Sequence, residues 1–243
     1  MIQEPWAAQT FSNDSQGEHG MPARETKAIK PKSANTPEED IESQRKYLFA
    51  GIAVAGPVTI VLWLAIDLLM PPLPGMTEPS ARMGFALGCC CLAVLFCLVS
   101  GIEAVSHERL GSPAINPLSG YETQRMKINE RYLQQTLEQL LVFIPGLFAL
   151  AFYASDGRAM RAVVATTAVW ILSRAAFWIS YHFGPQHRTI GLTGMVQSML
   201  VLFYVCGRFG YQWAGIAGAI APIGLFLVLE AFLVWATRPL PSR

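Results

Sequence analysis

The apolar residues of this chain fall into long, nearly uninterrupted runs. Six runs lie at about 47–70, 83–105, 131–154, 160–183, 188–206 and 215–237. A helix of about 20 apolar residues spans the ~30 Å hydrocarbon core of a bilayer. The pattern therefore predicts an all-α integral membrane protein with six spans.

Polar segments lie before and between these runs. Residues 1–35 are rich in Ser, Pro, Gln, Lys and Glu without periodicity, which predicts disorder. At the segment that follows, Thr36 is suited to the N-cap, Pro37 to the first helical position and Glu39 to a capping box. These residues predict a helix that continues into the first span.

Composition agrees with the membrane prediction, since 52% of the residues are hydrophobic and only 14% are charged, against about 25% charged in soluble domains. A net charge of +1 and the lack of a basic cluster argue against a nucleic-acid partner. All five cysteines lie within apolar runs, and the consecutive Cys89, Cys90 and Cys91 are poorly placed to pair. We interpret them as small packing residues.

The distribution of Lys and Arg predicts the orientation, because cytoplasmic loops carry more of them. One predicted side carries Arg24, Lys27, Lys30, Lys32, Arg45, Lys46, Arg109, Arg125, Lys127, Arg131, Arg188, Arg238 and Arg243, and the other carries Arg82, Arg158, Arg161 and Arg208. Both termini are therefore predicted to be cytoplasmic, in a bacterial inner membrane or an intracellular membrane.

The third span begins with a polar stripe. Arg131, Gln135 and Glu138 lie at offsets of four and seven, within roughly 60° on one helix face. A charge inside a bilayer costs about 2.5–3.5 kcal/mol, so such residues usually face protein, a cavity or a ligand. We expect this stripe to face into a helix bundle near the cytoplasmic surface.

The fourth span carries a second stripe of Arg174, Phe177 and Tyr181. Arg174 lies in mid-span and needs a partner, for which Glu138 is the expected candidate. Either the two form a buried ion pair that locks the spans together, or the polar groups also bind a ligand. Arg188 follows the helix-breaking residues Gly184 and Pro185, between the fourth and fifth spans. There its side chain either reaches lipid phosphates or joins the same site.

Histidines and the remaining acids suggest no metal site. His107, His182 and His187 share a predicted side but form no close ligand cluster, so no metal is predicted. Glu230 lies within the sixth span, and the sequence suggests no partner for it.

The first stripe, Arg131-x3-Gln135-x2-Glu138, resembles the Arg-x3-Asn-x2-Glu motif of the MAPEG superfamily, the membrane-associated proteins in eicosanoid and glutathione metabolism. The second, Arg174-x2-Phe177-x3-Tyr181-x6-Arg188, is similar to the signature of its leukotriene-synthase and microsomal glutathione-transferase branches. The resemblance covers residues 82–208. It implies a four-helix bundle that assembles as a homotrimer and binds glutathione between subunits near the cytoplasmic surface.

The resemblance divides the chain into four parts. Residues 1–35 form the disordered segment, 36–81 an extra N-terminal transmembrane helix with its loop, 82–208 the MAPEG-like membrane domain, and 209–243 an extra C-terminal transmembrane helix with its tail. The resemblance also implies that the second substrate is a lipophilic small molecule arriving from the membrane lipids.

The resemblance further implies residue roles. Arg131, Gln135 and Glu138 would hold the glutathione backbone, with Glu138 on its ammonium group and Arg131 on a carboxylate. Arg174 and Tyr181 would line the same pocket, and Arg109 is a looser match. Arg188 would be catalytic, because a guanidinium beside the sulfur favours the thiolate, the nucleophilic form of a thiol.

Two residues depart from the family pattern: Gln135 replaces an asparagine, and Phe177 replaces a tyrosine. Three hypotheses for function follow. The first is a glutathione-dependent transferase or peroxidase for lipophilic electrophiles. The second is a non-catalytic protein of the same fold that binds lipid and presents it to a partner. The third is a small transporter component.

Overall fold

The computed structural model describes residues 37–116, 118, 120–183 and 190–237. The helices are α1 (Pro37–Leu69), α2 (Pro79–Ala93), a π-helical segment (Val94–Val99), α3 (Ser100–Leu110), a 3-10 turn (Pro113–Ile115), α4 (Gln124–Tyr153), α5 (Arg161–Phe183) and α6 (Ile190–Ala236). The start of α1 at Pro37 agrees with the sequence prediction, whereas the segment predicted to be disordered lies outside the described residues.

Five helices in this part of the chain are apolar and long enough to cross a bilayer. The segment from Pro79 to Leu110, which contains α2, the π-helical segment and α3, counts as one of them. This confirms an all-helical, multi-pass membrane protein. The predicted boundary between spans five and six falls inside α6, so the sixth span is not confirmed.

Helix α6 has 47 residues, which in one straight helix would measure about 70 Å, more than twice the thickness of the hydrocarbon core. Its backbone leaves the helical conformation at Gly215, where φ is 59°. Gly210 and Gly218 lie so close that a Cβ on either would overlap the other's carbonyl oxygen. The rings of Phe203 and Phe226 are 5.2 Å apart. The two halves of α6 therefore pack antiparallel on either side of the break.

The core lies between α2, α4 and α5. Its buried residues from α2 and the π-helical segment are small, namely Ala86, Cys89, Cys90, Ala93 and Cys97. They face larger side chains, including Phe143 and Trp170, whose ring centroids are 4.6 Å apart. Small residues at spacings of three and four let helices approach closely in a membrane. Three of the cysteines thus act as packing residues, as predicted, whereas Cys91 and Cys206 are exposed.

The segment that directly follows α1 is bonded to the connection between α4 and α5 and to the start of α5. The Leu73 N–H donates to the Gly157 carbonyl at 3.0 Å, and Arg161 Nη1 donates to the Met70 carbonyl at 3.0 Å. A Cβ on Gly157 would overlap the backbone of Leu73, so this contact requires glycine. Within α1 itself, Trp63 Nε1 donates to Thr166 Oγ1 of α5 at 3.1 Å.

Candidate functional site

The first polar stripe lies on the outward face of α4. Arg131 and Glu138 are exposed, and Gln135 is half-buried. Arg131 Nη1 donates to Gln134 Oε1 at 3.3 Å, and Gln134 Nε2 donates to Glu138 Oε1 at 3.1 Å. We call Arg131, Gln134, Gln135 and Glu138 the outward row. It points away from the core of its own chain, so the expectation that it faces into the bundle is wrong for a single chain.

A second polar face of α4 points inward. Tyr132, Thr136 and Gln139 are buried, and they lie about 120° around the helix from the outward row. Thr136 Oγ1 donates to the Tyr132 carbonyl at 2.7 Å, which leaves its lone pairs free to accept. Sequence reasoning missed this face, although its offsets of zero, four and seven are the same as those of the charged stripe.

The inward face accommodates Arg174 of α5, which is fully buried. Arg174 Nη2 donates to Thr136 Oγ1 at 2.8 Å. The guanidinium carbon also lies 4.5 Å from the Phe177 ring centroid and 5.2 Å from that of Tyr132. Aromatic faces attract a cation within about 6 Å of the centroid. Arg174 is therefore held by one hydroxyl and two rings.

The expected ion pair between Arg174 and Glu138 does not form. Thr136 and Glu138 are two residues apart and so lie about 200° apart around α4, on opposite faces. Within the described part of the chain, Arg174 Nε and Nη1 have no hydrogen-bond partner. Arg174 is thus an interior residue and not part of the surface that carries Glu138.

An aromatic stack extends this interior. Tyr132 stacks on Trp178 at 4.9 Å and on Phe177 at 6.1 Å, and Phe177 stacks on the half-buried Tyr181 at 5.4 Å. The Tyr132 hydroxyl donates to the Cys97 carbonyl of the π-helical segment at 3.1 Å. Such π-helical turns are frequent at functional sites. Because Phe177 is buried, the difference from the family's tyrosine, a missing hydroxyl, affects the packing of this interior. It does not affect the exposed surface of the helix.

Arg109, the looser match, lies where α3 meets the start of α4. Its Nη2 is 3.2 Å from Glu130 Oε1. Nearby, Arg125 Nε is 2.7 Å from Glu108 Oε1, and Thr123 Oγ1 donates to Glu108 at 3.3 Å. Arg109 thus already has a carboxylate partner within its own chain. Arg188, the predicted catalytic residue, lies outside the described residues.

Comparison with protein families identifies a match that covers both polar faces of α4. The model of the MAPEG family matches residues 85–210, from α2 to the middle of α6, which is more than half of the chain. The matched range contains the outward row and the buried arginine. Comparison with curated proteins finds no significant match, and comparison with solved structures finds none either.

Proposed function

Because the chain belongs to the MAPEG family, we propose that it is a membrane-embedded, glutathione-dependent transferase or peroxidase for lipophilic electrophiles. The observation that carries this proposal is the exposure of Arg131 and Glu138 on a helix long enough to cross a bilayer. A charge facing lipid costs about 2.5–3.5 kcal/mol on insertion scales. The outward row therefore calls for a ligand, a second copy of the chain, or both.

The outward row is chemically suited to glutathione, which has two carboxylates and an ammonium group. Arg131 offers paired N–H donors that match a carboxylate, and Glu138 offers a carboxylate for the ammonium group. Gln135, half-buried beside them, adds an amide that can donate and accept. Gln134, which now joins Arg131 to Glu138, would be displaced from between them.

A homotrimer would complete this site. In a closed ring, a surface of one copy meets a different surface of the next. The outward row of one copy would meet the end of α5 in its neighbour, with Tyr181 and Arg188. Arg174 would then hold α4 in place through Thr136, a role that differs from the one the family resemblance implies. Arg109 would bind glutathione only if its ion pair with Glu130 broke.

The proposed topology has six crossings with both termini in the cytoplasm. Residues 190–213 and 216–236 of α6 each exceed the 17 residues that a spanning helix needs at minimum. The antiparallel packing around Gly215 supports two crossings here. The outward row and Arg188 would then lie at the cytoplasmic surface.

The proposed reaction uses the thiol of the co-substrate. Arg188 would favour its thiolate electrostatically, and the thiol proton would pass to water. In the transferase reaction, the sulfur forms a bond to the electrophilic carbon, and the displaced group leaves with its bonding electrons. In the peroxidase reaction, two thiols are oxidised to a disulfide, while a hydroperoxide is reduced to an alcohol and water.

Calorimetry with the purified full-length protein tests the binding step. We expect glutathione to bind, Glu138→Gln to weaken binding by tenfold or more, and Glu230→Gln to leave it unchanged. Glu230 is the matched control, because it is also an exposed carboxylate in an apolar helix but lies on α6. No binding at millimolar glutathione would refute the proposal. Unchanged thiolate absorbance and turnover in Arg188→Ala would refute the catalytic role of Arg188.

A non-catalytic lipid-binding protein of the same fold is the second candidate. A large, mostly apolar cavity between α1, α5 and α6 favours it. Glutathione binding separates the two candidates, since only the first requires it. The transporter hypothesis needs Arg174, Glu138 and Glu230 along one polar path, but the first is fully buried and the other two are exposed.

A further inference from the structure

The charged side chains near the start of α4 differ in their partners. Three ion pairs form there, namely Arg125 with Glu108 at 2.7 Å, Arg109 with Glu130 at 3.2 Å and Lys127 with Glu122 at 3.9 Å. Arg131 and Glu138 form no ion pair within the described part of the chain. Two turns of α4, about 10.5 Å, separate them along the helix axis, so both charges depend on a neutral partner.

The side chain of Gln134 is that neutral partner. Its Oε1 accepts from Arg131 Nη1 at 3.3 Å, and its Nε2 donates to Glu138 Oε1 at 3.1 Å. Spacings of three and four residues bring side chains together on one helix face. A primary amide has both an acceptor end and a donor end, so Gln134 offers each charged group the polarity that it needs.

The position of the outward row makes these two bonds consequential. Leu137 and Leu141 beside it are 51% and 71% exposed, so the surface around the row is apolar. The bond from Arg174 to Thr136 holds α4 at this rotation, and the row therefore stays outside the core. A charge that faces lipid is costly, and a hydrogen bond to it is stronger there than in water. Gln134 thus stabilises the outward row in the unliganded chain.

We propose that Gln134 competes with glutathione for the outward row and so lowers the affinity of the site. This inference rests on the function proposed above. The carboxylate of the ligand takes the place of Gln134 Oε1 on Arg131, and its ammonium group takes the place of Gln134 Nε2 on Glu138. Both hydrogen bonds of Gln134 break before the ligand is fully bound.

A competing side chain has a thermodynamic signature. The hydrogen bonds of Gln134 stabilise the unliganded protein only, because the ligand replaces them. Removing the amide therefore destabilises the unliganded protein and raises the affinity by the same free energy. A residue that only supports the fold stabilises both states, so its removal lowers stability without raising the affinity. Stability and affinity together distinguish the two roles.

The test compares wild-type protein with Gln134→Ala, each purified at full length. Calorimetry with glutathione should show roughly three- to tenfold tighter binding by the variant, which corresponds to about 0.65–1.4 kcal/mol, the net contribution of a typical hydrogen bond. Thermal unfolding without glutathione should give a lower Tm for the variant. With saturating glutathione, the two Tm values should approach each other, since both proteins then lack the bonds of Gln134.

Two further variants separate hydrogen bonding from side-chain size and from general surface effects. Gln134→Leu keeps a side chain of similar size but has no amide, so it should also bind glutathione more tightly. Gln124→Leu removes another exposed glutamine from the same helix, at its first residue and away from the outward row. Its affinity for glutathione should equal that of the wild type.

The inference and the proposed function fail in different ways. If wild-type protein binds glutathione but Gln134→Ala and Gln134→Leu bind it equally or more weakly, Gln134 does not compete and the inference is overturned. An equal gain in Gln124→Leu would also overturn it. If none of the proteins binds millimolar glutathione, the proposed function is refuted and the inference with it. Where one Gln134 variant does not fold, the other decides.

Discussion

Thr136 and Arg174 offer a test in which removing a neutral hydroxyl should destabilise the fold more than removing a buried charge. Thr136 Oγ1 is the only hydrogen-bond acceptor for the Arg174 side chain within the described residues. Thr136→Val would leave the entire guanidinium without a hydrogen bond. Hydrogen bonds to charged groups contribute about 1.5–3 kcal/mol, so we expect a loss of that size.

Arg174→Met should behave differently. It removes the cation together with its unpartnered Nε and Nη1 atoms, and methionine keeps an apolar chain against Phe177 and Tyr132. Replacing a buried charge by a well-packed apolar residue is often neutral or stabilising. We expect stability within about 1 kcal/mol of the wild type or higher. In this background, Thr136→Val should cost little.

The assay is thermal unfolding followed with a thiol-reactive dye, since Cys89, Cys90 and Cys97 are buried in the fold. For a chain of this length, about 2 kcal/mol corresponds to a Tm lower by about 4–8 °C. Thr136→Ser, which keeps the acceptor, is the control and should show a smaller shift. The reasoning is refuted if Thr136→Val lowers Tm equally with and without Arg174, because the two residues are then not coupled.

Three further predictions use other parts of the fold. Gly210→Val should destabilise by about 1–3 kcal/mol, because its side chain would overlap the facing backbone of α6; Gly224→Val, where a Cβ meets nothing within 4 Å, should leave Tm unchanged. The Ala159 N–H lowers the pKa of Asp156, so the stabilising effect of the carboxylate is complete above about pH 4 and disappears as the pH falls through the lower folded pKa; the Tm difference between Asp156→Asn and the wild type should therefore shrink as the pH falls below about 4. Arg109→Ala removes a half-exposed ion pair and should cost less than about 1 kcal/mol, while a raised KM for glutathione would show that Arg109 binds it.

Sequence patterns were most informative where length and composition decide the structure. The apolar runs predicted the helices that cross the membrane, and Pro37 marked the start of α1. The last two predicted spans merge into α6, because Gly215 lets the backbone reverse without an intervening loop. A break of this kind leaves little trace in composition, since the residues around it are as apolar as a span.

Partners across helices were harder to predict. The predicted ion pair between Arg174 and Glu138 considered charge alone. The helical angle around α4 instead places Thr136 on the inward face, where it accepts from Arg174. A threonine in a membrane helix gives a weak signal, because it can also satisfy itself by bonding its own backbone. The link from Trp63 and Gln197 to Thr166 joins residues far apart in sequence, and no local pattern predicts such a contact.

The two polar faces of α4 constrain each other. Arg174 holds the inward face through Thr136, and this bond fixes the rotation of α4 about its own axis. If α4 rotated by about 100°, the angle between successive residues, so that Glu138 took the buried position of Gln139, Thr136 would move away from the guanidinium. Both movements are unfavourable, since each leaves a charge buried without its hydrogen bond. The buried arginine therefore maintains the exposure of Arg131 and Glu138 without touching either, which explains why an interior charge and an exterior charged row occur on adjacent helices.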